Sequence, residues 1–267
     1  MQILHLLTSN TLIFYSISGL LGLVFGSFAN VVIYRLPLIL KASSSFSLNK
    51  PPSNCVHCKQ IIRVWNNIPI ISYLFLKGKC SYCKHSISFH YCFIELACML
   101  LFIHSAWIFG PSWSYLAFLV FSWCLLTLSA MDISHRFLPD SIVFPLLWLG
   151  LITNSFNLFT TLDQALWGAI AGYLSLYTIY LTFKWVTGKE GMGFGDFKLF
   201  AVIGAWGGWQ ILPLTLLTAS LAGAFIGLIA QKQTSKTIAF GPYLAISGWI
   251  AILWGNEITT HYLNFIR

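Results

Sequence analysis

Apolar residues fall in long unbroken runs, at about 11–33, 91–109, 113–131, 141–159, 165–183, 199–230 and 238–255. Runs of this length with almost no charge predict helices that cross a bilayer, which needs ~20 apolar residues per span. As one helix the run 199–230 would be about 48 Å long, well over a ~30 Å hydrocarbon core. Gly207, Gly208 and Pro213 offer a break, so two shorter spans are expected there, the sixth one short. The pattern therefore predicts an all-α polytopic membrane protein with about eight transmembrane helices. Its one sizeable extramembrane segment lies between helices 1 and 2. The expected division is a first transmembrane helix at 1–33, an extramembrane domain at 34–90 whose charge and metal-binding chemistry are taken up below, and a membrane core of helices 2–8 at 91–267.

Composition agrees with this pattern. Of 267 residues 57% are hydrophobic and 8% charged, against about 25% charged in soluble domains; mean hydropathy is +0.77. A soluble enzyme, a disordered tail and a nucleic-acid binder are excluded, and the net charge of +8 is read as membrane topology. Eight basic residues and no acid lie from Arg35 to Lys84, which places that loop in the cytoplasm. Eight spans then put fourteen of the fifteen basic residues on the cytoplasmic side, with both termini and Arg267 outside. Seven spans would move Lys232 and Lys236 outside. The opening ten residues carry no Lys or Arg, so the first span is expected to be a retained anchor rather than a cleaved signal. Gly22 and Gly26 form a small-xxx-small pair suited to close helix packing. No internal repeat is visible.

Cys55-Val-His-Cys58 and Cys80-Ser-Tyr-Cys83 are two C-x2-C knuckles 21 residues apart. Four thiolates on the reducing side of the membrane suit one tetrahedral Zn²⁺, closed and architectural. Disulfides or idle thiols are the alternative. His57 and His85 adjoin the knuckles as alternative ligands, and Cys92, Cys98 and Cys124 read as packing residues.

Acids near hydrocarbon are costly and need explaining. Asp132 ends the third span, and Asp196 lies in Gly193-Phe194-Gly195-Asp196-Phe197-Lys198 where the sixth begins. On different helices at one bilayer edge, they can converge. Two adjacent carboxyls divide roles, one protonated and one acting as general base toward water. Gly193 and Gly195 would let the backbone unwind and a peptide approach. The competing reading pairs Asp132 and Asp196 with Arg136 and Lys198 as interfacial charges. Asp140 reads as a helix N-cap, and Glu95 as a partner of the basic loop or the border of a ligand site.

Together these residues resemble the bacterial type IV prepilin peptidases, membrane aspartic proteases of the G-x-G-D type. The matching blocks are the segment Gly26-Ser27-Phe28-Ala29-Asn30-Val31-Val32-Ile33-Tyr34-Arg35-Leu36-Pro37, the knuckles with Asn67-Ile68-Pro69 and Ile71-Ser72-Tyr73 between them, Asp132 through Pro139-Asp140, the Asp196 motif, and Phe240-Gly241-Pro242. The resemblance implies that Asp132 and Asp196 are the catalytic pair, supported by Gly193, Gly195 and Lys198, with Cys55, Cys58, Cys80 and Cys83 on zinc. It implies removal of the basic leader of prepilins and pseudopilins at the cytoplasmic face of the bacterial inner membrane, in type IV pilus biogenesis or type II secretion. N-methylation of the new terminus from S-adenosylmethionine is implied as well, its residues unassigned. Membrane lipid is an expected partner and nucleic acid is not. Ala239, Cys92 and Asn66 depart from the family pattern, the last in the region tied to methylation. A secondary transporter and a non-enzymatic envelope assembly factor are the rival classes.

Overall fold

The computed structural model describes residues 10–41, 47–48, 52–189, 191–230 and 239–266. Expectations for the opening segment and for Lys232, Lys236 and Arg267 lie outside them. Among the described residues every regular element is a helix. In chain order these are α1 (Thr11–Lys41), a 3-10 turn (Val64–Asn67), α2 (Ile71–Phe75), α3 (Phe89–Phe109), α4 (Trp113–His135), α5 (Asp140–Ser155) and α6 (Leu162–Thr187). They continue with α7 (Phe194–Gly207), a 3-10 turn (Trp209–Ile211), α8 (Leu212–Ala230) and α9 (Gly241–Ile266).

The eight long helices coincide with the eight apolar segments. Among the described residues five helical stretches are long and apolar enough to cross a membrane: α1, α3, α4, α6 and Trp209–Ile229. Large apolar side chains such as Trp185, Phe225 and Leu228 are exposed on α6 and α8, which water would punish and lipid tolerates. The chain is a multi-pass membrane protein. The expected break in 199–230 is present: α7 ends at Gly207, Gly208 takes φ +82, and a 3-10 turn leads into α8. With 14 residues, α7 is about 21 Å long, short of a full crossing. The first helix runs on through Pro37 to Lys41, beyond the apolar run 11–33.

Packing divides the chain into two compact units, Met1–Thr127 and Leu128–Arg267. In the first, α1 lies against α3. A Cβ on Gly22 would sit 2.6 Å from Met99 Cα, and one on Gly26 2.7 Å from Glu95 Cα. The small-xxx-small pair is thus a helix seam, as the spacing suggests. Phe14, Cys98, Phe102, Ala106, Tyr115 and Leu119 form the adjoining core. Ser18 and Tyr115 share a hydrogen bond of 2.7 Å, and the Trp123 indole donates to the Phe25 carbonyl at 2.9 Å.

In the second unit α7 is the central element. Ten of its residues, Asp196, Phe197 and Leu199 through Trp206, are buried, as expected of a helix apolar on all sides. Gly168 of α6 and Gly204 of α7 meet backbone to backbone, leaving no room for a side chain on either. Lipid supplies little hydrophobic drive between helices, so contact of this closeness is what holds them. The Trp206 indole donates to the Leu146 carbonyl of α5 at 2.8 Å.

Candidate functional site

The second unit brings the two singled-out aspartates together. Asp132 lies in the last turn of α4 and Asp196 in the first turn of α7, each 8% exposed. The charge on Asp132 acts directly on Asp196. A helix start favours an anion electrostatically, which suits the position of Asp196. Each carboxylate also accepts a backbone amide. The Gly241 N–H donates to Asp132 Oδ2 at 3.0 Å, and the Gly193 N–H donates to the Asp196 carboxylate.

The glycines act differently from the expected unwinding. Gly195 is helical and Gly193, the N-cap of α7, is extended at φ −81; neither is in the left-handed region. Gly195 lacks a side chain because Leu138 occupies the space, its Cβ 2.9 Å from where a Gly195 Cβ would stand. The gain is close approach rather than backbone freedom. Gly241 shows the same economy: a Cβ there would lie 2.7 Å from Asp132 Oδ2.

Lys198 binds both oxygens of Asp140, at 2.7 and 2.9 Å, with its ammonium 5.3 Å from the Phe144 ring centre. The pairing of Lys198 with Asp196 weighed from sequence is therefore replaced by a tie between α7 and the start of α5. Asp140 is the first residue of α5 rather than its N-cap, which is Pro139. The Asp140–Lys198 pair spans 58 positions, and nothing in the local sequence signals it. Gly241 as partner of Asp132 was equally hidden, its only trace being the Phe240-Gly241-Pro242 block. Asp163 and Glu257 are exposed.

In the first unit, Cys55, Cys58, Cys80 and Cys83 place their sulfurs within 4.8 Å of one another, a set that could hold a metal ion. Cys55 Sγ and Cys83 Sγ are 3.9 Å apart, close to the about 3.8 Å edge of a tetrahedron with 2.3 Å metal–sulfur bonds. Backbone N–H groups of Cys58 and His57 pull the Cys55 thiol down to about 6; those of Cys83 and Tyr82 lower Cys80. Cys83, although it accepts the His85 N–H, is pushed up to about 11 by desolvation and the neighbouring thiols. The turns thus favour thiolates at Cys55 and Cys80. His57 and His85 stack on each other, ring centres 4.3 Å apart.

The knuckles repeat one another at an offset of 25 residues, a symmetry not seen in the sequence. Cys55 N donates to Gln60 O and Cys80 N to His85 O, and Lys59 N and Lys84 N return to Cys55 O and Cys80 O. Lys59 and Lys84 both take left-handed φ, 60 and 59. Single bridges Asn54–Ile61 and Lys79–Ser86 close the two turns.

Membrane-crossing helices, a buried carboxyl pair and a four-thiol cluster on a separate unit define a polytopic membrane protein with acid-pair chemistry available to it. Residues 20–109 match the bacterial peptidase A24 N-terminal domain, and residues 119–228 the type IV leader peptidase family. The chain belongs to the type IV leader peptidase family. It is 54% identical to a prepilin leader peptidase/N-methyltransferase of Stutzerimonas stutzeri, over 98% of each chain. It is 50% identical to one of Pseudomonas aeruginosa over 99% of each. For one of Aeromonas hydrophila the identity is 45%, over 95% of this chain and 96% of that one. No solved structure gives a significant match.

Proposed function

We propose that this protein is a membrane aspartic endopeptidase that removes the basic leader of type IV prepilins and pseudopilins and then N-methylates the exposed residue. The observation that carries the peptidase reading is the buried, interacting pair Asp132 and Asp196, each steadied by one backbone amide. The relatives' names couple that chemistry to prepilins and to methyl transfer.

In this reading Asp132 and Asp196 hold one water between them. Burial and mutual repulsion disfavour two negative charges, so one carboxyl keeps a proton. The ionised partner takes a proton from water as it attacks the scissile carbonyl; the protonated one supports the developing oxyanion and then donates to the departing amine. The Gly241 and Gly193 amides fix the carboxylates for that exchange. Gly195 brings α7 close to Leu138, and Lys198 acts on the site through Asp140 rather than in a chemical step.

The four cysteines bind Zn²⁺ as an architectural ion, their geometry and thiolate bias matching its preference. S-adenosylmethionine serves as methyl donor. The functional division is the first helix at 1–33, the zinc-binding segment at 34–90 and the protease core at 91–267. Eight crossings, two of them made by the shorter α5 and α7, put the basic segment and the active site at the cytoplasmic face of the bacterial inner membrane. Prepilins, pseudopilins and membrane lipid are its partners, in pilus biogenesis or type II secretion. Purified protein incubated with a prepilin in detergent should release the leader. Asp132→Asn and Asp196→Asn should each lower the rate about 100-fold or more, with the fold kept. Cleavage at the original rate by either variant would end the two-carboxyl mechanism.

A further inference from the structure

The segment from Arg35 to Lys84 carries eight basic residues and no acid, and a loop of that charge would ordinarily stand in water. Its apolar side chains do not fit such a setting. Trp65, in the 3-10 turn, is 75% exposed, and Leu74 and Phe75 of α2 are 67% and 84% exposed. Ile71, at the start of α2, is exposed as well. Single apolar residues on a surface are ordinary, but a cluster marks a place of interaction.

Helices α1 and α3 set the depth of this cluster. The run 91–109 is about 28 Å long as a helix, close to a ~30 Å hydrocarbon core, which puts Tyr91 at the edge of the core. Asn30 Nδ2 donates to the Tyr91 carbonyl at 3.0 Å, so α1 passes the same level at Asn30. Glu95 lies one turn further in, about 6 Å along the axis, and helical side chains lean back toward the N-terminal end. Its carboxylate thus returns toward the level of Tyr91, where Ile70 N–H donates to Oε2 at 2.8 Å. Ile70 is the residue from which α2 starts, with φ +57 and ψ −49. That backbone is close to the rare γ-turn, closed by Ile71 N–H on the Pro69 carbonyl and strained for a β-branched residue. The bond to Glu95 helps to hold it. The Tyr73 ring meets that of Phe89, the first residue of α3, with centres 6.2 Å apart. Both contacts pin α2 beside the first two turns of α3, at the bilayer boundary rather than above it.

Charge selects the kind of lipid. Arg63, Lys77 and Lys79 flank the apolar cluster and are exposed, and the segment holds no acid to neutralise them. Anionic headgroups attract such cations at a membrane surface. A basic leader would be repelled by this face, and so would the same face of a second copy. We propose that Trp65, Ile71, Leu74 and Phe75 insert at the headgroup–acyl boundary and that Arg63, Lys77 and Lys79 bind anionic phospholipid there. Apolar side chains at an interface reach about 5–10 Å into it, within the span of a Trp or Phe side chain together with the turn that carries it. The cysteine-bearing segment is then seated on the bilayer through α2 instead of being held clear of it by the ends of α1 and α3.

The test uses the full-length protein in nanodiscs of phosphatidylcholine and phosphatidylglycerol. A photoreactive phenylalanine analogue replaces Phe75 in one preparation and Leu74 in another, and the adducts are identified by mass spectrometry. Both positions should crosslink to phospholipid. The ratio of phosphatidylglycerol to phosphatidylcholine among the adducts should exceed that of the nanodisc. Adding Lys77→Gln or Lys79→Gln should lower that ratio about fivefold, the effect of one cation near a charged surface. Melting temperature checks that each variant is folded. Adducts to a second copy or to added prepilin in place of lipid, or no lipid adduct at either position, would overturn the insertion. A lipid ratio equal to that of the nanodisc, or one that neither lysine variant changes, would overturn the anionic headgroup site. Neither readout depends on peptidase activity, so a failure here leaves the two-carboxyl mechanism standing.

Discussion

Asp132 Oδ2 accepts a hydrogen bond of 3.0 Å from the backbone N–H of Gly241, 109 positions further along the chain. The bond joins the end of α4 to the first residue of α9, so the carboxyl is aimed by a helix far from it in sequence. Backbone donors of this kind cost nothing to orient, and they leave the second oxygen for water.

Gly241→Ala tests that relationship. The added Cβ would stand 2.7 Å from Oδ2 and 3.2 Å from the carboxyl carbon, so the carboxylate must move. Displacements of about 1 Å can cost about 100-fold in rate. The variant should cleave prepilin about that much more slowly at saturating substrate, with unchanged thermal stability. A wild-type kcat would show that the Gly241 contact does not aim the carboxylate.

The Asp140–Lys198 pair links α5 to α7 at the surface, its side chains 54% and 25% exposed. Exposed ion pairs contribute only about 0–1 kcal/mol. Asp140→Asn and Lys198→Met should each shift stability within that range. The activity losses should be non-additive, because either change breaks the same tie. A double-mutant cycle on cleavage rate measures this; strictly additive losses would mean that each residue acts on its own.

Much of this was legible before the fold. Apolar runs located the eight long helices, Gly207-Gly208 the break in 199–230, and Gly22 with Gly26 the α1–α3 seam. Knuckle spacing gathered the four cysteines, whose geometry is local. Side chains that meet across tens of residues were not legible: the partner of Lys198 and the Gly241 amide on Asp132 depend on packing that no short window encodes. Gly195 illustrates the difference. Its motif suggested a flexible backbone, whereas the reason for glycine is Leu138 pressed against it.

The cysteine cluster predicts one metal ion per chain, measurable by elemental analysis of the purified protein. Cys55→Ser and Cys80→Ser should each lower the stoichiometry toward zero, since either leaves three sulfurs of a closed four-ligand site. A full metal content in Cys55→Ser would rule the quartet out as the ligand set.

Asn154 offers the strongest stability prediction, because one fully buried side chain completes four backbone groups. Its Nδ2 donates to the carbonyls of Ala205 and Trp206 at 2.9 Å each, and its Oδ1 accepts from the amides of Phe159 and Thr160 at 3.1 Å each. The two carbonyls belong to the last turn of α7, where intrahelical donors run out. The two amides lie in the connection from α5 to α6. Asn154→Leu would fill similar volume and leave all four groups without this partner. Each buried group left unpaired costs about 1–3 kcal/mol. The variant should unfold at markedly lower temperature in detergent, with leader cleavage falling in step, since α7 carries Asp196 at its other end. Asn154→Asp keeps the acceptor and, when neutral, one O–H donor for the two carbonyls, so its loss should be intermediate if neutral and severe if ionised against both. Equal stability of Asn154→Leu and wild type would show that other groups satisfy the end of α7.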